Sequence, residues 1–335
     1  MKILICTGIY PPKIGGPAQY AKNMQDIWLS LGHRVVVKTY GIENQLPTGV
    51  RHIWYFFKIL PSLVTSDFIF TLDTYSVGFP AVLASKIFNK KIIIRTGGDF
   101  LWEGYVERTA KTVLLRNFYL SEKDFLNLKE KIIFKITKWT LKNTSKLVFS
   151  TDWQRNIFIE AYGVKEENSL VIENYYGKKE SDLDPQDKTF VSSNRKLVGK
   201  NTDLLIRIFE RIKTKNPDVN LFTKNLPFEL FMDKVKDSYV VLQISIGDIS
   251  PNMILDAIRF NRPFICTREV GIYDRIKDAG VFIDPLNEEE IERAILNLLD
   301  PNEYRKARDK VKNFNFTHTW EQIAQEFIGL YNSIK

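Results

Sequence analysis

Two aspartates, Asp248 and Asp256, stand with seven residues between them and enclose a Ser250-Pro251 pair. Ser is a favoured helix N-cap, and Pro fits the first helical position, where its missing N–H costs nothing. The spacing predicts a helix that opens at Pro251, with Asp248 on the preceding loop and Asp256 about one and a half turns inside. The amides of Asn252 and Met253 then face the same space as the two carboxylates. Helix-start amides attract phosphate, while carboxylates accept hydrogen bonds from hydroxyls. A diphosphate joined to sugars presents both groups. The segment is equally consistent with an ordinary Ser-Pro helix start that carries two unrelated acids.

Two further clusters suit an anion. Arg195 and Lys200, in Arg195-Lys196-Leu197-Val198-Gly199-Lys200, fall between a strand pattern and a helix pattern at Leu204–Ile212. A planar guanidinium fork and a compact ammonium divide the oxygens of a diphosphate between them without a metal. Exposed cations near a helix start also occur without a ligand. The loop Ile9-Tyr10-Pro11-Pro12-Lys13-Ile14-Gly15-Gly16-Pro17 joins the first strand to the first helix. Gly15 and Gly16 clear side chains from a place where a ligand can approach, or they simply make a tight turn. This is not the GxGxxG dinucleotide fingerprint, and the second strand ends Val37-Lys38-Thr39 without the acid that holds an NAD ribose. A dehydrogenase is not expected.

The elements that position these residues follow from periodicity. Strand patterns run at Ile3–Ile9, Val35–Tyr40, Phe68–Leu72, Lys91–Arg95, Lys146–Ser150 and Leu170–Ile172. They resume at Thr189–Ser192, Asn220–Thr223, Val240–Ile244, Phe264–Thr267 and Val281–Ile283. Helical patterns lie between them, such as Ala18, Ala21, Met24, Trp28 and Leu31 on one face, closed by Gly32. Strand-helix alternation predicts α/β architecture with parallel sheets. The expected domains are 1–174 and 188–315, with a polar linker at 175–187. A final amphipathic helix in 316–335 (Trp320, Ile323, Ala324, Phe327, Ile328, Tyr331) is expected to pack back on the first domain. Ligands of open α/β sheets bind at the carboxyl ends of the strands.

The chain has 335 residues, 44% hydrophobic and 26% charged, as expected for a soluble two-domain protein. The opening apolar run stops at Gly8, too short for a signal segment, and no stretch approaches a membrane span. Cys6 and Cys266 both sit in strand patterns and read as buried thiols of a cytoplasmic protein. His33, His52 and His318 lack metal-ligand spacing, so no metal site is expected. The net charge is +8, and Lys111 to Lys146 carries nine Lys/Arg against three acids, interleaved with aromatics. That stretch suits contact with an anionic membrane surface or a solvated basic face. It has no nucleic-acid reader motif, and no nucleic acid is expected as a partner.

The order and spacing of these motifs resemble the retaining, nucleotide-sugar-dependent glycosyltransferases of family four over nearly the whole chain. The resemblance rests on Gly15-Gly16-Pro17, the Asn174 segment, Arg195-x4-Lys200 and the acid-x7-acid pair. It implies the GT-B fold: two Rossmann-like, doubly wound parallel-sheet domains facing across a cleft. It implies no cofactor, with a nucleoside diphosphate sugar as donor substrate. Arg195 and Lys200 would grip the diphosphate, Asp256 the ribose hydroxyls, and Asp248 the transferred sugar. The amides after Ser250-Pro251 would cradle phosphate, Gly16 would let the first domain approach it, and Lys224-Asn225-Leu226 would select the base.

The chain departs from that family in three places. Both acids are Asp where Glu is usual. The segment Arg95-Thr96-Gly97-Gly98-Asp99 lacks the usual His, so Asp99 either takes its place at the reacting sugar or caps a helix. Only 47 residues separate Lys200 from Asp248, which predicts a shortened second domain. The implied reaction is metal-independent, retaining, hexosyltransferase-type transfer to a hydroxyl acceptor. The basic stretch suggests a lipid-linked or cell-envelope saccharide, met on the inner membrane face. The alternatives are a sugar-nucleotide epimerase of the same architecture and a non-catalytic nucleotide-sugar-binding homologue.

Overall fold

The structure, a computed structural model, describes residues 1–13, 15–180, 183–192, 197–224 and 226–335. Every expected strand forms, within a residue or two of its expected ends. β1 (Lys2–Thr7), β2 (Arg34–Thr39), β3 (Phe68–Thr71), β4 (Lys91–Thr96), β5 (Lys146–Phe149) and β6 (Ser169–Val171) make one sheet, in the order β2-β1-β3-β4-β5-β6. β7 (Lys188–Ser192), β8 (Val219–Phe222), β9 (Val240–Gln243), β10 (Phe264–Thr267) and β11 (Val281–Ile283) make the other, in the order β11-β10-β9-β7-β8. All pairings within these sheets are parallel. Both sheets are therefore doubly wound. The strand order reverses between β1 and β3 in the first and between β7 and β9 in the second, where such folds leave a crevice.

The strands are apolar almost throughout because helices cover both faces of each sheet. In the second sheet the alternation is explicit. Phe190, Val240 and Leu242 join a core with Leu205, Ile208 and Ile212 of the Thr202–Lys215 helix. Val191, Val241 and Cys266 point the other way, into a core with Ile254 and Ile258 of the Asn252–Arg259 helix. In the first sheet the buried Trp28 ring meets Phe68, Phe70 and Phe327 edge-on. Leu31 departs from the expected buried face: it is the C-cap of the Gly16–Ser30 helix and is exposed.

The chain divides into two compact units. The first comprises 1–101, 125–174 and 318–335; the second comprises 102–124 and 175–317. The Trp320–Asn332 helix belongs to the first unit, where the Trp28 indole donates to the Ala324 carbonyl at 3.3 Å. Two stretches differ from the expected partition. Residues 102–124 belong to the second unit, so the basic stretch 111–146 is divided between the two units. Residues 175–180 are not a free linker. Tyr176 is buried in the second core, and the Lys179 ammonium donates to the carbonyls of Ile258 (2.7 Å) and Val311 (2.6 Å). An ammonium with fixed carbonyl partners can stand at a core edge that polar composition alone would leave in water.

Candidate functional site

The second unit gathers chemistry at the carboxyl ends of β7, β9 and β10. After β9 the chain runs Ile244-Ser245-Ile246-Gly247-Asp248 and is pinned in place. The Ile246 amide donates to the Gly199 carbonyl, the Asp248 amide to the Glu269 carbonyl, and the Gly271 amide to the Asp248 carbonyl, each at 3.0 Å. Val198–Lys200 is a short 3-10 turn ended by Asn201 in the left-handed region (φ 54). The Asn201 amide group donates to the carbonyls of Ile244 (3.1 Å) and Pro285 (3.0 Å), which fixes the turn against the loop.

These two fixed backbones bring Lys200 and Asp248 together. The Lys200 ammonium donates to Asp248 Oδ2 at 2.7 Å, with 22% and 18% of the side chains exposed. The Gln243 amide donates to the same oxygen at 2.9 Å and to Ser245 Oγ at 3.0 Å. Gln243 was missed in the sequence, although a polar residue closing the apolar run Val240-Val241-Leu242 was its signal. Behind the cluster, burial and the Asp248 charge push the Cys266 thiol well up. Among the described residues, Cys6 and Cys266 are both free, buried thiols.

The helix after the loop begins one residue later than expected. Pro251 is its N-cap (φ −69, ψ 108), the helix runs Asn252–Arg259, and no side chain among the described residues caps it. Ser250 Oγ is buried and, among the described residues, has no hydrogen-bond partner, so it is not the cap. The physical reason lies in Pro251 itself, whose extended ψ leaves its carbonyl to accept from Ile254 (3.0 Å) and Leu255 (3.3 Å). Asn252 and Met253 thus occupy the first-turn positions whose amides have no acceptor within the helix. Asp256 sits in this helix, where burial pushes its carboxyl up to about 6, against Arg259, which lowers it.

Trp102 and Leu115, both buried, lie over the glycines of this site. A Cβ at Gly247 would stand 2.9 Å from Leu115 Cβ and 3.0 Å from the Trp102 ring, and one at Gly199 would stand 3.6 Å from that ring. Glu107 accepts from the Val198 amide at 2.7 Å, and Arg116 pairs with Glu269 at 2.6 Å. Sequence gave no sign of these contacts, since the partners lie 91 and 153 positions apart.

The first unit holds the other expected residues. Gly15 is the N-cap of the Gly16–Ser30 helix, with Pro17 in its first turn, and the loop leaves β1 at the β1/β3 reversal. Asp99 is buried and accepts from the Leu101 amide at 3.1 Å, at the start of the Phe100–Thr109 helix. Asn174 is tied within the same unit: its side chain accepts from Arg95 at 2.6 Å, and its carbonyl lies 3.2 Å from His318 Nδ1. Arg195 and Asn225 lie outside the described residues.

No family model matches the chain, and no curated protein matches it by sequence. In fold it is similar to sucrose-phosphate synthase from Thermosynechococcus elongatus, with a TM-score of 0.69 at 13% identity over 99% of each chain. The Anabaena HepE structure in complex with UDP-glucose gives 0.67 at 12% identity, over 99% of this chain and 100% of that one. A glycosyltransferase from Rickettsia africae gives 0.65 at 14% identity, over 99% and 98%. At these identities the likeness establishes the fold: two Rossmann-like halves of the GT-B type.

Proposed function

We propose that the protein is a glycosyltransferase that takes a sugar from a nucleoside diphosphate donor and attaches it to a hydroxyl acceptor with anomeric configuration retained. The observation that carries this reading is the meeting of Lys200, Gln243 and Asp248 at the β7/β9 reversal, beside a helix start with two orphan amides. The cation and amides suit a diphosphate, and the carboxylates of Asp248 and Asp256 suit sugar hydroxyls. Similar folds solved in complex with UDP or UDP-glucose support the same donor class.

In the reaction, the bond between the anomeric carbon and the β-phosphate oxygen breaks as the acceptor oxygen bonds to that carbon. The acceptor proton leaves with the departing diphosphate. Fixed donors aimed at the developing negative charge are usually the largest catalytic contribution. Lys200 and the amides of Asn252 and Met253 fill that role, joined by Arg195. Asp248 holds the sugar through its hydroxyls, and Gln243 fixes the carboxylate's orientation. Charge stabilisation by these groups requires no metal, so the rate is expected to survive EDTA. The acceptor is a lipid-linked or cell-envelope saccharide.

Thermal-shift screening with UDP-, GDP-, ADP- and dTDP-sugars identifies the donor, because a ligand of the folded state raises its apparent stability. The binding donor is then incubated with and without a panel of saccharide acceptors. Transfer only in the presence of acceptor supports the proposal. An epimerised donor formed without acceptor would replace it with the epimerase reading. Donor binding without turnover would leave a binding protein.

A further inference from the structure

The Thr48–Val64 helix of the first unit is apolar on two sides. His52, Tyr55, Ile59 and Leu63 face the core, while Val50, Ile53, Trp54, Phe57 and Val64 form a stripe on the opposite side. Spacings of one, three, four and seven place that stripe on one continuous helical face. Ile53, Trp54 and Phe57 are 62%, 51% and 63% exposed, too open to count as core edge. Contiguous exposed apolar surface of this kind marks an interaction site.

Its neighbours extend the surface. Crossovers that leave β2, β3 and β4 all proceed in one direction across the sheet, and right-handedness puts their helices on one face. The Thr48–Val64 helix packs on Gly78–Ile87, which packs on Leu128–Asn143. Phe79 bridges them, edge-on to His52 on one side and to Trp139 on the other. The Leu128–Asn143 helix exposes Leu128 (76%) and Ile132 (47%) between Lys129, Lys131, Lys135 and Lys142. The acid carried by these helices is Glu130, which is buried and closes a capping box with Asn127.

We propose that this three-helix layer docks on an anionic lipid bilayer. Trp54 and Phe57 enter the headgroup–acyl boundary, and the lysines of the Leu128–Asn143 helix lie on the charged headgroups. A cationic amphipathic surface with aromatics on its apolar face binds such interfaces. A second copy of the chain would set lysine against lysine, which the charge pattern disfavours. No helix among the described residues is long and apolar enough to cross a membrane, so the attachment is peripheral. The surface differs from the 111–146 stretch expected from sequence: it gains the Thr48–Val64 helix and loses 111–124. The proposal does not depend on the transferase reading, because lipid binding is measured without donor or acceptor.

Flotation with vesicles of phosphatidylglycerol and phosphatidylcholine in equal parts tests it, with pure phosphatidylcholine as control. Wild-type protein is expected to float with the anionic vesicles and to be released by salt. The Trp54→Glu/Phe57→Glu variant is expected to bind at least about tenfold more weakly, with unchanged circular dichroism. Brominated phosphatidylglycerol is expected to quench wild-type tryptophan fluorescence, and Trp54→Phe to lose most of that quenching. No flotation of the wild type, or equal flotation of the double variant, overturns the proposal. So does a wild-type dimer in light scattering that the double variant converts to monomer.

Discussion

The Lys200 ammonium stands 2.7 Å from Asp248 Oδ2, a contact across 48 positions of sequence made by two backbones that are themselves tied together at Ile246 and Gly199. The pair presents a cation already held in place at a strand-order reversal. Lys200→Ala is expected to lower kcat by about two to three orders of magnitude, the usual cost of removing one charge-stabilising donor. Stability should fall by only about 1 kcal/mol, because a partly exposed ion pair contributes little. Steady-state kinetics and urea melts separate the two, and a folded variant with less than twofold loss of activity would remove Lys200 from the mechanism.

Gly247 leaves no room for a side chain. Gly247→Ala places a methyl 2.9 Å from Leu115 Cβ, an atom fixed to its own backbone, and against the Trp102 ring, which donates to the Val113 carbonyl at 2.8 Å. Either the Trp102–Leu115 segment shifts or the Asp248 loop does, at about 1–3 kcal/mol. Denaturant midpoints are expected to drop accordingly. An unchanged midpoint with unchanged donor binding would show that the segment does not hold this loop.

Asp256 gives a pH dependence of known sign. Its folded pKa of about 6 lies above the ordinary 3.8, so between these values the folded protein keeps a proton that the unfolded chain has released. Stability from this group is therefore greatest at low pH and is lost as pH rises toward about 6. Asp256→Asn removes the penalty. Its gain over wild type is expected to reach up to about 3 kcal/mol at neutral pH and to vanish near pH 4. Thermal melts at both pH values check this, and donor binding should weaken as one of the two acceptor oxygens is replaced by an NH2 donor. A variant less stable than wild type at neutral pH would contradict the assignment.

The two thiols should be silent in the folded protein. Burial pushes Cys6 up to about 12, and burial, with the Asp248 charge, also pushes Cys266 well up. The reactive species is the thiolate, so an aromatic disulfide reagent at mildly alkaline pH is expected to label neither until urea is added. Rapid native labelling of Cys266 would mean that the Asp248 loop opens to solvent.

Sequence alone determined the strands, their parallel pairing and the acid pair, because periodicity and turn chemistry act between near neighbours. The run Val240-Val241-Leu242-Gln243 had to be a strand with both faces covered, and Asp248 had to follow it on a loop. The helix start was legible to within one residue, since Ser250-Pro251 marks a boundary in either register. What packing alone decided lies far apart along the chain. Residues 102–124 joined the second unit because Trp102 and Leu115 fit over Gly247 and Gly199, and Arg116 found Glu269. Likewise, Thr48–Val64 is apolar nearly all round, and only its seat on the sheet chose Tyr55 and Ile59 for the core and left Trp54 and Phe57 in water. Burial is a property of the assembled layers, and a single segment does not carry it.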